Sequence, residues 1–153
     1  MSRPPLPGPP HKPLIALVDR LNRALQADMV RAGRAAGFPE LKQAHNAVFG
    51  TLSGSHGNHT ADLAARAGVT RQSMGEVVRD LMRLGIVEMT VDPEDRRAKL
   101  VTYTEYGLDF ARGGRQHIAD LEERLAEEFG EDEYALVRDV LARVVDLLEP
   151  GDR

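Results

Sequence analysis

The sequence contains no cysteine. Disulfides, thiolate zinc sites, iron–sulfur clusters, cysteine nucleophiles and thiol redox sensing are therefore excluded. A cysteine-free chain fits a cytoplasmic protein, the location expected here. The basic surplus usual in nucleic-acid-binding chains is also missing: 20 Lys and Arg against 24 Asp and Glu give a net charge of −4. No apolar run approaches the roughly 18 residues of a membrane span, and the N-terminus carries no apolar signal core. No membrane partner is expected. The patterns Gly-x-Ser-x-Gly, Gly-x-x-x-x-Gly-Lys and His-Glu-x-x-His do not occur, nor does an internal repeat. The chain thus reads as no enzyme, with no catalytic residue and no cofactor. At 153 residues it suits one domain with an appendage, burying roughly 70% of its unfolded surface.

What is present begins with proline, at five of the first ten positions. Proline denies helix and ladder hydrogen bonds, so residues 1–12 read as a disordered or polyproline tail. From Pro13 the pattern turns helical. Leu14, Val18, Leu21, Leu25 and Met29 recur at steps of three and four along one face. Gly33 and Gly37 are read as its end, within a segment 13–38. A second helix is expected from Pro39 to about Leu52, then a Ser/Gly/Asn/His loop at 53–59.

Thr60 is placed to cap a short helix to Ala67, with Leu63, Ala64 and Ala67 on its apolar side. After a turn at Gly68, Thr70 is placed to cap a helix to Leu84, closed by Gly85. Two helices joined this closely are a helix-turn-helix layout. Two β-prone runs follow, Ile86 to Val91 and Lys99 to Thr104, joined by the polar loop 92–98. They read as a hairpin, hence a wing. Thr104 then caps a long helix to about Glu128, using Leu108, Ala111, Ile118, Leu121 and Leu125 as its core face. Gly113-Gly114 mark a kink or close crossing within it. A last helix runs from about Asp132 to Leu148, with Val137, Val140, Leu141, Val144, Val145 and Leu148 as an apolar stripe.

On a helical wheel, Met74, Val77, Val78, Leu81 and Leu84 share one side of the helix after Thr70. Arg71, Gly75, Arg79 and Arg83 line the other, beside Gln72 and Glu76. Arg and Gln pair with guanine and adenine edges in a major groove, and a helix N-terminus suits phosphate. Arg96, Arg97 and Lys99 put three cations on the hairpin, shaped for a minor groove. Asp95 is placed to brace Arg97 by a charge-assisted bond. The plainer reading of the arginines is a solvated face, and of Asp95 a turn residue.

The run from Thr60 through Glu88, continuing as Asp92-Pro-Glu-Asp-Arg-Arg-Ala-Lys-Leu-Val-Thr-Tyr-Thr-Glu-Tyr-Gly, resembles the multiple-antibiotic-resistance regulator (MarR) family of winged-helix transcription factors. The resemblance implies a mainly α (α+β) fold with long dimerisation helices at 13–38 and 105–149 around a winged helix-turn-helix at 39–104. It implies a two-fold homodimer on a pseudo-palindromic double-stranded DNA operator, with the recognition helix (70–84) in the major groove and the wing (86–104) in the minor groove. The family's contact positions fall on Arg71, Gln72, Ser73 and Gly75, and its wing arginine on Arg97 with Asp95 as partner. The full expected DNA-contacting set is Thr60, Thr70, Arg71, Gln72, Ser73, Gly75, Glu76, Arg79, Arg96, Arg97 and Lys99. Repression relieved by a small-molecule effector is the implied mechanism, with His45, Phe49 and His117 as cleft candidates. Glu76 stands where many members carry a base, and cysteine-based oxidant sensing is unavailable.

Two other readings use the same residues. One is a winged-helix module that binds protein instead of DNA. The other is a metal site from His56 and His59, joined by Asp62 and His45, against which a polar surface loop is the plainer account; no metal is expected. The acidity itself is local. Residues 60–104 hold seven basic and seven acidic side chains, whereas 105–153 hold six and 14. The net charge therefore does not exclude DNA binding by placed arginines.

Overall fold

The computed structural model describes residues 11–149. The proline-rich stretch 1–10, most of the expected tail, lies outside the described residues. Helix α1 (Leu14–Ala35) leads through a 3₁₀ turn (Gln43–His45) into α2 (Asn46–Phe49). Next come α3 (Thr60–Ala67), α4 (Arg71–Arg83), β1 (Val87–Val91), β2 (Lys99–Tyr103), α5 (Glu105–Phe129) and α6 (Glu131–Leu148). The chain forms two compact units, the first running to Ala111 and the second from Arg112.

In the first unit β1 and β2 pair antiparallel, from Val87 opposite Tyr103 to Val91 opposite Lys99. Asn58 adds a bridge to Val101 on the free side of β2. The core takes Val48 from α2, Leu63 and Ala64 from α3, Met74, Val78 and Leu81 from α4, and Ile86, Val87 and Val101 from the wing. The predicted apolar sides of α3 and α4 are therefore the sides that pack. Gly68 adopts a positive φ of 66°, which lets the chain turn between α3 and α4 without a Cβ penalty. Thr104 caps α5 as read: its Oγ accepts from Gly107 N–H at 2.9 Å. That hydroxyl also donates to the Gly85 carbonyl at 2.5 Å, tying the end of α4 to the start of α5. Gly107 packs directly on the Ile86 carbonyl, where any Cβ would collide.

Three local expectations change. Gly33 does not end α1 but lies inside it, where Leu41 and Phe110 occupy the space of a side chain. The chain turns instead at Gly37, φ 105°. Residues 39–42 are not helical. Leu41 turns inward with its N–H on the Phe38 carbonyl, Arg34 takes its carbonyl at 2.6 and 2.9 Å, and Lys42 is extended. Those bonds satisfy the backbone groups that a helix from Pro39 would have used. Thr60 is the first residue of α3; His59 holds the cap position and no side chain caps it.

In the second unit α5 continues past Gly113-Gly114 without a break. Its expected core face is open: Leu121 and Leu125 are half-buried and Ile118 is 45% exposed. No residue of α6 is buried. No described helix is long and apolar enough to cross a membrane.

Candidate nucleic-acid interface

Helix α4 is fixed at its start by Thr70, whose Oγ accepts from Ser73 N–H at 3.0 Å and donates to the Ser73 hydroxyl at 2.8 Å. Such a cap is worth about 1 kcal/mol. With Met74, Val78 and Leu81 buried, the opposite side carries Arg71, Gln72, Ser73, Glu76 and Arg79, all exposed. Gly75 is half-buried on this side; a Cβ there would meet the Arg79 Nη1 at 3.4 Å. Gly75 thus leaves room for the Arg79 guanidinium to lie across the helix. Among the described residues neither Arg71 nor Arg79 forms an ion pair.

Arg83, the last of the arginine stripe, is exposed but already paired. It reaches Asp80 at 2.9 Å and Glu40 at 3.2 Å. Asp80 in turn accepts from Lys42 Nζ at 2.9 Å and contacts Nε2 of buried His45 at 2.8 Å. The hydrogen bond from Lys42, then those from His45 and Arg83, hold the Asp80 carboxyl far below the usual carboxylate range. His45 Nδ1 accepts from the Lys42 N–H at 3.1 Å. One ring nitrogen accepts and the other donates, so a neutral imidazole satisfies the site. This cluster bolts the C-terminal end of α4 to the segment before α2.

The wing loop 92–98 is built by its acids. Buried Asp92 accepts from Glu94 N–H at 2.8 Å through Oδ1, and Asp95 accepts from Arg97 N–H at 3.0 Å. Asp92 N–H and the Ala98 carbonyl close the loop at 3.1 Å. Asp95 therefore does not brace the Arg97 guanidinium as expected. It forms a turn on the Arg97 backbone, the geometry a short Asx side chain reaches most easily. Arg96, Arg97 and Lys99 are exposed, and among the described residues none forms an ion pair. One compact unit therefore carries two exposed cationic elements, the first turns of α4 and the wing. Thr60 lies half-buried at the start of α3.

The metal reading meets a different arrangement. His45 sits against Asp80 and His59 against Asp92, each inside the fold's own contacts. Among the described residues no three metal-ligating side chains converge. Phe49 stacks on Phe110 at 4.7 Å within an aromatic cluster with Phe38 and Tyr106. Sequence reasoning did not find the roles of Glu40, Lys42 and Asp80. Apart from Asp80–Arg83 and Lys42–His45, each three residues apart, their bonds span 35 to 43 residues, so no local pattern marks them.

Residues 44–98 match the family model described as the MarR family. No curated protein sequence matches this one. Among solved structures, the PcaV transcriptional regulator from Streptomyces coelicolor, in complex with its natural ligand, is similar at 27% identity. That match covers 89% of this chain and 96% of that one, with a TM-score of 0.59. Streptococcus pneumoniae FabT in complex with DNA is similar at 18% identity, 89% and 94% coverage and a TM-score of 0.72. A mutant of MarR from E. coli is similar at 21% identity, 87% and 96% coverage and a TM-score of 0.69.

Proposed function

We propose that this chain, whose residues 44–98 match the MarR family model and whose fold is similar to that of transcription regulators, is a sequence-specific regulator that binds double-stranded DNA. Helix α4 enters a major groove by the face of Arg71, Gln72, Ser73, Gly75, Glu76 and Arg79. The wing places Arg96, Arg97 and Lys99 at the flanking minor groove, with Thr70 organising the first turn of α4. The observation that carries this reading is the sorting of α4: its apolar side is buried while its arginines and glutamine stay exposed beside an exposed cationic hairpin. FabT, a protein of the same fold, is solved on DNA, which supports the same use of this surface.

The functional species is a homodimer. α6 presents Val137, Val140 and Val145 at 55%, 44% and 52% exposure, and α1 exposes Leu14, Leu17 and Leu21. Apolar surface on this scale calls for a partner, and two-fold pairing of identical chains is the commonest solution. Repression by promoter occlusion follows, with release by a small molecule that favours a different spacing of the two α4 helices. PcaV, solved with a natural ligand, makes an effector reasonable here too.

The test selects duplexes from a random-sequence DNA library and measures affinity for the enriched site. The site is expected to be pseudo-palindromic, with half-sites about one helical turn apart. Gln72→Ala is expected to cost about 1–3 kcal/mol and relax preference at one base position. Arg97→Ala is expected to weaken binding without changing the particle's mass or thermal midpoint. No enrichment over the starting library would refute the function.

A further inference from the structure

One carboxylate stands in the middle of the surface that the arginines of α4 define. At about 100° per residue, Gln72, Glu76, Arg79 and Arg83 fall within an arc of about 60°, opposite buried Met74 and Leu81. Arg71 and Gly75 lie toward one flank of that arc and Ser73 toward the other. Glu76 is exposed, and among the described residues its side chain forms no hydrogen bond and no ion pair. Arg79 follows it by three residues, a spacing at which helical ion pairs form. Arg79 instead leans back over Gly75, its Nη1 3.4 Å from where a Cβ of that glycine would stand. Asp80, the other carboxylate of α4, is by contrast taken up by Lys42, His45 and Arg83.

An acid on a surface that meets DNA is unfavourable wherever it faces the phosphates, because like charges repel. The floor of the major groove offers it one kind of relief. Base edges present donors there only as the exocyclic amines of cytosine and adenine. Guanine presents two acceptors, and thymine one acceptor beside a methyl group. A carboxylate accepts and cannot donate, so it rejects guanine and thymine. The adenine amine stands beside N7, an acceptor that repels the second carboxylate oxygen. The cytosine amine has no ring acceptor beside it on its own base. Cytosine is therefore the edge that suits Glu76.

We infer that Glu76 is a specificity-determining residue that selects cytosine at one position of each half-site, by accepting a hydrogen bond from its N4 amine. The central place of Glu76 on the exposed face of α4 suits a base edge. Gly75 beside it has no side chain to hold the helix off the groove floor. Arg79, leaning over Gly75, leaves the carboxylate without an internal partner and ready for one on the DNA. On a duplex without cytosine at that position, Glu76 loses this contact and keeps its repulsion. It thus weakens binding to unrelated DNA as well as choosing a base. This role of Glu76 rests on the function proposed above and names a base that the operator must contain.

The experiment enriches duplexes from a random-sequence library with the full wild-type chain, then measures affinity for duplexes carrying each of the four bases at every half-site position. One position is expected to prefer cytosine about tenfold or more over guanine and thymine. Glu76→Gln should move that preference to adenine, whose N6 and N7 match an amide. Glu76→Ala should flatten it and tighten binding to duplexes that lack cytosine there. Both variants should keep the wild-type thermal midpoint, because Glu76 is exposed and makes no internal contact. If Glu76→Ala tightens binding to every duplex equally and shifts no preference, the carboxylate faces the backbone and the cytosine contact is overturned. An enriched site whose preferences neither variant alters also overturns the cytosine contact, and leaves the proposed function standing. If the wild-type chain enriches nothing, the proposed function falls and the role of Glu76 falls with it.

Discussion

Helices α4 and α6 are both amphipathic, and they end up opposite ways round. α4 (Arg71–Arg83) buries Met74, Val78 and Leu81 in its own unit and leaves Arg71, Gln72 and Arg79 exposed. α6 (Glu131–Leu148) buries nothing and leaves an apolar stripe exposed along with its charges. A helix whose apolar side is already satisfied has only its polar face left to offer a partner. A helix whose apolar side is open still needs a partner to cover it. Under the proposed function the pair separates two jobs: recognition on a self-sufficient lobe, and assembly on terminal helices.

The largest expected effect breaks the assembly half. Val137→Asp with Val140→Asp puts two charges on the α6 stripe. Sedimentation should show association weakened about a thousandfold or more, roughly 4 kcal/mol, with helix content retained. An unchanged mass would remove α6 from the interface.

The next effect breaks the recognition half from inside. Met74→Ala opens a cavity under α4 and should cost about 2–5 kcal/mol in denaturant unfolding. A change well under 1 kcal/mol would mean the apolar side of α4 is not packed as described.

The smallest sharpens the comparison at the C-terminal end of α4. Asp80→Asn removes a charge held by Lys42, His45 and Arg83, and should cost about 1–2 kcal/mol at neutral pH. The folded state depresses the Asp80 pKa, so its contribution is complete above the unfolded value of about 4 and is lost as pH falls below it. The stability gap between wild type and Asp80→Asn should therefore be flat from about pH 5 to 7 and shrink below pH 4. A gap that persists undiminished at about pH 2 would contradict the charged role of Asp80.

Periodicity made most of the lobe legible. The apolar sides of α3 and α4, the hairpin and the caps at Thr70 and Thr104 all depend on residues within a few positions of one another, which a sequence displays directly. What depended on distant partners stayed hidden. Arg83 looked like the third member of an exposed stripe until Glu40 and Asp80 claimed it. The helix expected from Pro39 gave way because Arg34 and Phe38 take the backbone groups of Leu41. His59 read most simply as part of a polar surface loop because its partners, Asp92 and Lys99, lie 33 and 40 residues on in the chain. Asp95 followed the plainer of its two readings, a turn residue on the Arg97 backbone. The aromatic cluster around Phe110 likewise joins residues from α1's exit, α2 and α5, and no spacing announces it.

The central claim is that the exposed face of α4 meets phosphate and base edges, and the salt dependence of DNA binding tests it most directly. Affinity for the selected duplex is measured across a salt series for the wild-type chain and Arg79→Ala. The logarithm of affinity should fall linearly with the logarithm of salt, by roughly 0.9 per neutralised phosphate, and Arg79→Ala should reduce the slope by about one. A response that is flat in salt, or a slope that Arg79→Ala leaves unchanged, would contradict the account.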